Sequence, residues 1–447
     1  MVMLNRNIVT GCLVFALAGN SIGAVSKEEV QSLGKTLTPI GAEIAGNKDG
    51  SIPEYTGGLV TATQKKGKIS RKDPYAGEKP LFTISSKNMA QYSDKLTEGV
   101  KALMKKYSTY RVDVYKTHRS VALPKWVNDN TIKNAGKAST FNGGNGIKNA
   151  HACYPFPIPK TGNEAMWNHL LFFFPNQQFK SEAYTVDASG RAVLTADYTV
   201  NHEFPYWDRN KTSADYYLYV KQSYQGPSRR SGEALMLMEP LNFSENPRKA
   251  WQYLPGQRRV KMAPDISHDA PEPATSGATT FDDNLIFNGS MERFNWKLVG
   301  KKEMYIPYNS YKIAYNSTPD DVLKKGHINP DFVRWELHRV WIVEAMLKPG
   351  KRHVYHKRVF YLDEDSWAAV ASDQYDSRGQ MYRAGLSYMS ASHEYPAPCA
   401  MPFGHYDLIT GQYNLNAYSG PKGSIQYIDP LPTRSWSPDA LSGSGVR

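Results

Sequence analysis

The sequence predicts a mainly β protein of the α+β kind, dominated by antiparallel strands with a few helices. Three observations predict it. Apolar and polar residues alternate with a period of two over long stretches of the second half of the chain. Short turn signals, not helical segments, separate those stretches. The chain also carries 29 tyrosines and 9 tryptophans, residue types that favour a pleated, half-buried surface.

The first residues read as an export signal. Arg6 is the only charge before Lys27, and the apolar stretch 8–19 has the length of a signal h-region, too short to span a bilayer. Ala24 closes a small-residue cleavage site. A short N-terminal anchor is the alternative. Cys12 follows Gly11, but only two apolar residues precede that pair, which argues against a lipidated cysteine. Residues 1–24 are therefore assigned as signal peptide and 25–447 as a mature chain working outside the cytoplasm; length alone permits two or three domains, but an all-β chain can run this long as one domain. That domain begins with a turn-rich segment (25–80) and ends in a loose tail (430–447) rich in Ser, Gly and Pro.

Within the mature chain, Ser26 and Glu29 form a capping box ahead of Val30 and Leu33, which predicts a short helix. Residues 46–58, GNKDGSIPEYTGG, are turn chemistry; the alternating acidic ligands of a calcium loop are missing around Asp49. Residues 88–107 predict one helix, with Leu96, Val100, Leu103, Met104 and Tyr107 on one face. A second helix starts with Asn163 as cap and ends before Pro175. The segment 264–280, with three prolines, reads as an exposed loop.

Strands follow. Phe294, Trp296 and Leu298 alternate with Arg293, Asn295 and Lys297, and Met304 and Ile306 continue the apolar face beyond Gly300. Trp335, Leu337, Trp341, Val343, Ala345 and Leu347 share one face of a long strand, with Arg339 the exception; Glu336, His338 and Glu344 lie on the other. One apolar and one wet face is the antiparallel signature. Turns are expected at 363–365, at 376–379 and at Thr410-Gly411.

A formal net charge of +12 and a mean hydropathy of −0.54 describe a basic, polar chain. Such a surface suits an anionic membrane as partner, or no specific partner; no nucleic-acid motif is present. Cys153 and Cys399 remain after cleavage, and an oxidising compartment allows either one disulfide or two free thiols.

The search for chemistry returns negatives. There is no GxSxG, Walker loop, HExxH or CxxC. GGNG at 143–146 lacks the context of a phosphate loop and reads as a turn. His353 and His356 point to opposite faces of a strand, and His151, His169, His268, His327, His338 and His405 are scattered, so no metal site is predicted. Asp363–Asp365 reads as a solvated turn. No catalytic residue and no cofactor follow, and the chain reads as no enzyme. What remains is apolar surface shared between sheet and helix: an ordinary core, or a cavity for an apolar ligand. Candidate lining residues are Leu96, Val100, Leu103, Met104, Met236, Met238, Trp296, Leu298, Trp335, Leu337, Trp341 and Val343. Pattern alone favours the core.

Several blocks resemble one family of exported Gram-negative proteins, catalogued as domain of unknown function 1329 and labelled outer-membrane lipoprotein-sorting-like. They are GNKDGSIPEYTGG, YPFPIPKTGNEAMWNHLL (154–171), LPGQRRVKMAP (254–264), FNGSMERFNWKLVGKKEMYIPYN (287–309) and residues 329–376. The family is grouped with the LolA/LolB lipoprotein-carrier superfamily. The resemblance implies a strongly curved antiparallel sheet, an unclosed barrel wrapped around helices, whose cavity takes acyl chains. It also implies a carrier or chaperone for a lipid, lipoprotein or other hydrophobic cargo at or toward the outer membrane, or an adaptor subunit of an envelope transport complex. Implied partners are an exporter of the resistance-nodulation-division (RND) type and an outer-membrane-directed protein. No family catalytic residues carry over.

Overall fold

A computed structural model of the chain describes residues 25–61, 67–68, 71–423 and 425–444; the assigned signal peptide lies outside the described residues. Period-two patterning becomes two antiparallel meanders. The first runs β1 (Gln177–Val186), β2 (Ala192–Glu203), β3 (Tyr216–Gly226), β4 (Ala234–Pro240), β5 (Lys249–Leu254) and β6 (Arg259–Met262). The second runs β7 (Phe294–Pro307), β8 (Trp335–Leu347), β9 (Lys357–Asp363), β10 (Ala369–Tyr375), β11 (Met381–Ser387), β12 (Phe403–Asp407) and β13 (Tyr413–Tyr418).

Each strand pairs with its chain neighbour inside its meander. The meanders join where β13 pairs with β1 in the register Tyr413↔Val186 and Asn414↔Thr185. The order is thus β6-β5-β4-β3-β2-β1-β13-β12-β11-β10-β9-β8-β7. Among the described residues no pairing joins β6 to β7, so the sheet stays open. The short strand Val112–Val114 adds a parallel contact to this sheet, Val114 beside Trp335 of β8. The turns at 376–379 and Thr410-Gly411 fall where expected, between β10 and β11 and between β12 and β13; Gly411 supplies the positive φ of 77° that a tight turn requires.

Several expectations are corrected. Residues 88–107 are not one helix. A 3-10 helix (Met89–Lys95) ends at Leu96, which is extended, and Thr97 then accepts the Val100 N–H at 3.1 Å and starts α2 (Glu98–Lys106) afresh. The second helix, Gly162–Leu170, is capped by Thr161 in a reciprocal box with Glu164, two residues before Asn163. The second face of β8 is not wet: Glu336 and His338 are buried. The chain around 112–119 lies over it, with Thr117 donating to the Leu337 carbonyl and the His118 N–H to Glu336.

The proline-rich segment is not an exposed loop. Ala274 and Thr275 are buried against β1, β2 and β13. The tail is not loose either: helix Pro438–Ser444 packs on β4, β5 and β6, burying Trp436 and Leu441 with Met236 and Tyr253. The Ser26–Glu29 box forms as predicted ahead of the first helix, α1 (Lys27–Gln31).

Candidate functional site

Strand alternation decides what faces inward. Tyr198, Val200 and His202 of β2, Leu218, Val220 and Gln222 of β3, and Leu235, Leu237 and Glu239 of β4 all point to one side. Phe179 of β1, Phe403 of β12, and Asn416 and Ala417 of β13 face the same space. Six strands, from β4 to β12 in sheet order, would span about 24 Å if flat. They enclose one cavity of about 60 Å³, so the sheet curls around it.

The cavity is covered by the segment 272–288, which contributes Glu272, Ala274, Asn284, Leu285 and Asn288. The cover is tied down at both ends. On one side, Arg230 donates to the Pro273 carbonyl at 2.8 Å and Thr185 to the Thr275 carbonyl at 3.1 Å. On the other, Asp282 and Asp283 receive the fully buried Arg358 at 2.8 and 2.9 Å; His353 lies 3.0 Å from Asp282, and Tyr355 and Gln374 donate to Asp283. Burial pushes the Asp282 carboxyl up, but Arg358 and His353 outweigh it and hold the group well below its ordinary range. Asn288 bridges Tyr217 and Glu239, which itself pairs with Arg248 at 2.8 Å.

Between these anchors the backbone is strained. Leu285 has φ 50° and the β-branched Ile286 φ 73°, each costing on the order of 1–3 kcal/mol. His169 of the Gly162–Leu170 helix adds a further tie. Its Nε2 donates to the Phe287 carbonyl at 2.8 Å, and its Nδ1 accepts the Ala369 N–H at 3.0 Å. Both nitrogens are committed to a neutral ring, and burial brings its pKa down to about 4.

A second space opens beside the first. A cleft of about 300 Å³ is walled by Trp126, Phe173, Phe174, Phe204, Trp207, Tyr395 and Tyr427, with Asp208, Arg209 and Lys211 at its rim. Arg209 sits over the Trp126 ring at 5.8 Å. Rings run from cleft to cavity: Phe174 to Phe204 at 5.6 Å, Phe204 to His202 at 6.0 Å, and His202 to Phe179 at 5.4 Å. Phe204 lines the cleft and His202 the cavity, so a single layer of side chains separates them. Burial lowers His202 to about 4, which keeps that layer uncharged at neutral pH.

None of the twelve expected lining residues reaches either space. Leu96, Val100, Leu103 and Met104 are buried core; α2 packs on β10 and β11, where Asp373 accepts the Glu98 and Gly99 N–H groups. Gln374, the next residue, points oppositely toward Asp283, so α2 lies on the far side of the sheet from the cover. Trp335, Leu337 and Val343 are buried, while Trp296, Leu298 and Trp341 are half-buried against the same core; Trp296 stacks on Phe360 and Trp341 on Trp367. Met236 is buried under the C-terminal helix with Met238 beside it, whereas their neighbours Leu235 and Leu237 face the cavity.

Two further corrections concern single groups. Cys153 and Cys399 are both buried free thiols, next to the Tyr206 and Tyr315 hydroxyls respectively, so no disulfide joins them. The Asp363–Asp365 turn exists but is not solvated. Arg119 binds both oxygens of Asp365, at 2.9 and 2.6 Å, and Arg119, Arg339 and Lys301 surround Glu364. Cations from distant parts of the chain make burial of those acids tolerable.

Fold and site define an open antiparallel ribbon curled around a cavity of mixed apolar and polar lining, roofed by a pinned segment and flanked by an aromatic cleft. The chain belongs to the family described as Protein of unknown function (DUF1329), whose model matches residues 83–442. It is 41% identical to uncharacterized protein PA3922 of Pseudomonas aeruginosa over 449 residues, 98% of each chain. Among solved structures it is similar to a putative outer membrane lipoprotein-sorting protein domain from Vibrio parahaemolyticus, at 13% identity and TM-score 0.42, covering 60% of this chain and 92% of that one. It is also similar to a DUF1329 family protein from Desulfovibrio piger, at 12% identity and TM-score 0.41, covering 60% and 91%. A third is LolA superfamily protein NE2245 from Nitrosomonas europaea, at 12% identity and TM-score 0.37, covering 63% and 99%. These likenesses are distant, and the fold described above rests on the strand pairings themselves. Among the described residues no helix is long and apolar enough to cross a membrane.

Proposed function

We propose that the protein is a non-catalytic periplasmic carrier or chaperone for a lipid, lipoprotein or other hydrophobic cargo, moving it toward or at the outer membrane. The observation that carries this reading is the covered cavity: inward-facing side chains from six strands, with Val200, Leu218, Val220, Leu235 and Leu237 as an apolar wall, converge under the segment 272–288. Each methylene moved out of water is worth about 0.8 kcal/mol, so an acyl chain crossing an aqueous gap needs such a shelter. The cavity lies well below the roughly 300 Å³ at which ligand pockets begin, so loading requires the cover to move. Strain at Leu285 and Ile286 supports a segment with a second position. The aromatic cleft, one layer of rings away, is the way in on this reading. The basic surface and the leader at 1–24 support work at an anionic membrane outside the cytoplasm.

The small volume is also what an adaptor subunit would have, its interior being a filled core, attached to an exporter of the resistance-nodulation-division type or an outer-membrane-directed protein. Native mass spectrometry of protein purified from the periplasm separates the two. A carrier arrives with lipid-sized adducts or takes up a fluorescent fatty acid. A chain that is consistently empty and binds no such probe contradicts the carrier reading and favours the adaptor.

A further inference from the structure

The buried turn after β9 contains a carboxylate that the ion-pair network leaves out. Asp365 is bound by Arg119, Glu364 by Arg119, Arg339 and Lys301, and Glu336 by Arg334. Asp363 is fully buried and has none of these cations within ion-pairing distance. Its Oδ2 accepts the Ser366 hydroxyl at 2.6 Å, and its Oδ1 has no hydrogen-bond partner. A buried carboxylate in that position is costly unless something positive reaches it.

A second group points to the same place. The Tyr308 hydroxyl is fully buried and makes no hydrogen bond, and its ring stacks on His338 at 3.8 Å. Its ring therefore lies against the His338 imidazole, and the charges of Asp363, Asp365 and Glu336 all act on its hydroxyl. His338 completes the arrangement. A ring nitrogen of His338 and one carboxylate oxygen each from Asp363 and Asp365 lie within 4.8 Å of one another, all three residues being buried.

We propose that His338, Asp363 and Asp365 form a buried site for one divalent cation, with the Tyr308 hydroxyl at its edge. The surroundings suit that role. His338 Nε2 lies 3.1 Å from Glu336, whose oxygens also take the His118 N–H, the Asn309 amide and the Arg334 guanidinium. Glu336 is thus an acceptor already held by donors on both oxygens. It fixes the proton on Nε2 and leaves the Nδ1 lone pair for the ion, the carboxylate–histidine–metal relay of many metal sites. Arg119 fixes Asp365 while each of its oxygens keeps a second lone pair. One imidazole with carboxylate and phenol oxygens suits Zn²⁺ or Mn²⁺ better than an all-oxygen Ca²⁺ site.

The test uses the full mature chain, stripped with EDTA, dialysed free of metal and titrated with Zn²⁺ by calorimetry, with bound zinc counted by elemental mass spectrometry. One Zn²⁺ per chain and a melting point raised by several degrees are expected. Asp363→Asn should abolish both effects while the chain stays folded by circular dichroism. His338→Gln is the second variant, should the first fail to fold, and Tyr308→Phe should weaken Zn²⁺ binding about tenfold. Stripped protein that takes up no stoichiometric Zn²⁺ and melts unchanged overturns the proposal; Asp363 then carries a proton instead. Uptake undiminished in both Asp363→Asn and His338→Gln places the ion elsewhere and overturns it too.

Discussion

Arg358→Met tests the anchor that holds the cover on the cavity. The guanidinium is fully buried, donates to Asp282 at 2.8 Å and Asp283 at 2.9 Å, and lies over the rings of Phe287, Phe360 and Tyr355 at 4.9–5.2 Å. Methionine keeps much of the stem and removes the charge. Breaking a buried pair by removing one partner costs about 3–5 kcal/mol. Here His353, Thr280, Tyr355 and Gln374 still serve the two carboxylates, which places the loss near 3 kcal/mol. Urea unfolding measures that figure. Limited chymotrypsin digestion then locates the damage, because 264–290 contains Phe281, Leu285 and Phe287 but no Lys or Arg. Phe281 and Phe287 are buried in the intact protein, so cleavage there reports a lifted cover. A variant as stable as the parent, or one destabilised without faster cleavage in this segment, would refute the reasoning.

Further outcomes follow from the same geometry. His169 has a folded pKa near 4 against 6.5 in the free state, a depressed value. Its neutral ring therefore contributes about 3 kcal/mol that is fully present above pH 6.5 and is lost as pH falls toward 4; acid unfolding should be less steep in His169→Gln. Iodoacetamide should leave Cys153 and Cys399 unmodified in the native chain and label both in denaturant without reductant, whereas a disulfide would block labelling. Thr97→Ala removes the cap that restarts the helix at Glu98 and should cost about 1 kcal/mol in urea unfolding.

The second meander was legible because its strands carry enough alternation to betray their period. β7 and β8 were placed from Phe294, Trp296, Trp335 and Leu337, and their turns from Asp, Gly and Thr. The first meander was not, since β4 is apolar on both faces: Leu235 and Leu237 meet the cavity while Met236 meets the C-terminal helix. A run of that kind has no period to read, and its orientation depends on partners elsewhere. The same limit hid the cover. Prolines at 264–280 signal a loop, but whether a loop is exposed was decided by Asp282 and Asp283 meeting Arg358, some 75 residues on. Asp363–Asp365 looked solvated because Arg119, 246 residues from Asp365, is invisible to local pattern. The alternation that marks the cavity wall is short: Tyr198 and Val200 are buried between the less buried Asp197, Thr199 and Asn201, and Val220 between Tyr219 and Lys221.

The proposed carrier role requires apolar cargo to occupy the interior under 272–288. Titrating a fluorescent fatty acid into the full mature chain and into Leu237→Trp, which fills the cavity from its wall, tests it most directly. The account predicts saturable binding near one probe per chain, weakened at least about tenfold by the tryptophan, equivalent to about 1.4 kcal/mol. Absence of binding by the parent chain, or equal binding by a folded Leu237→Trp, would contradict it.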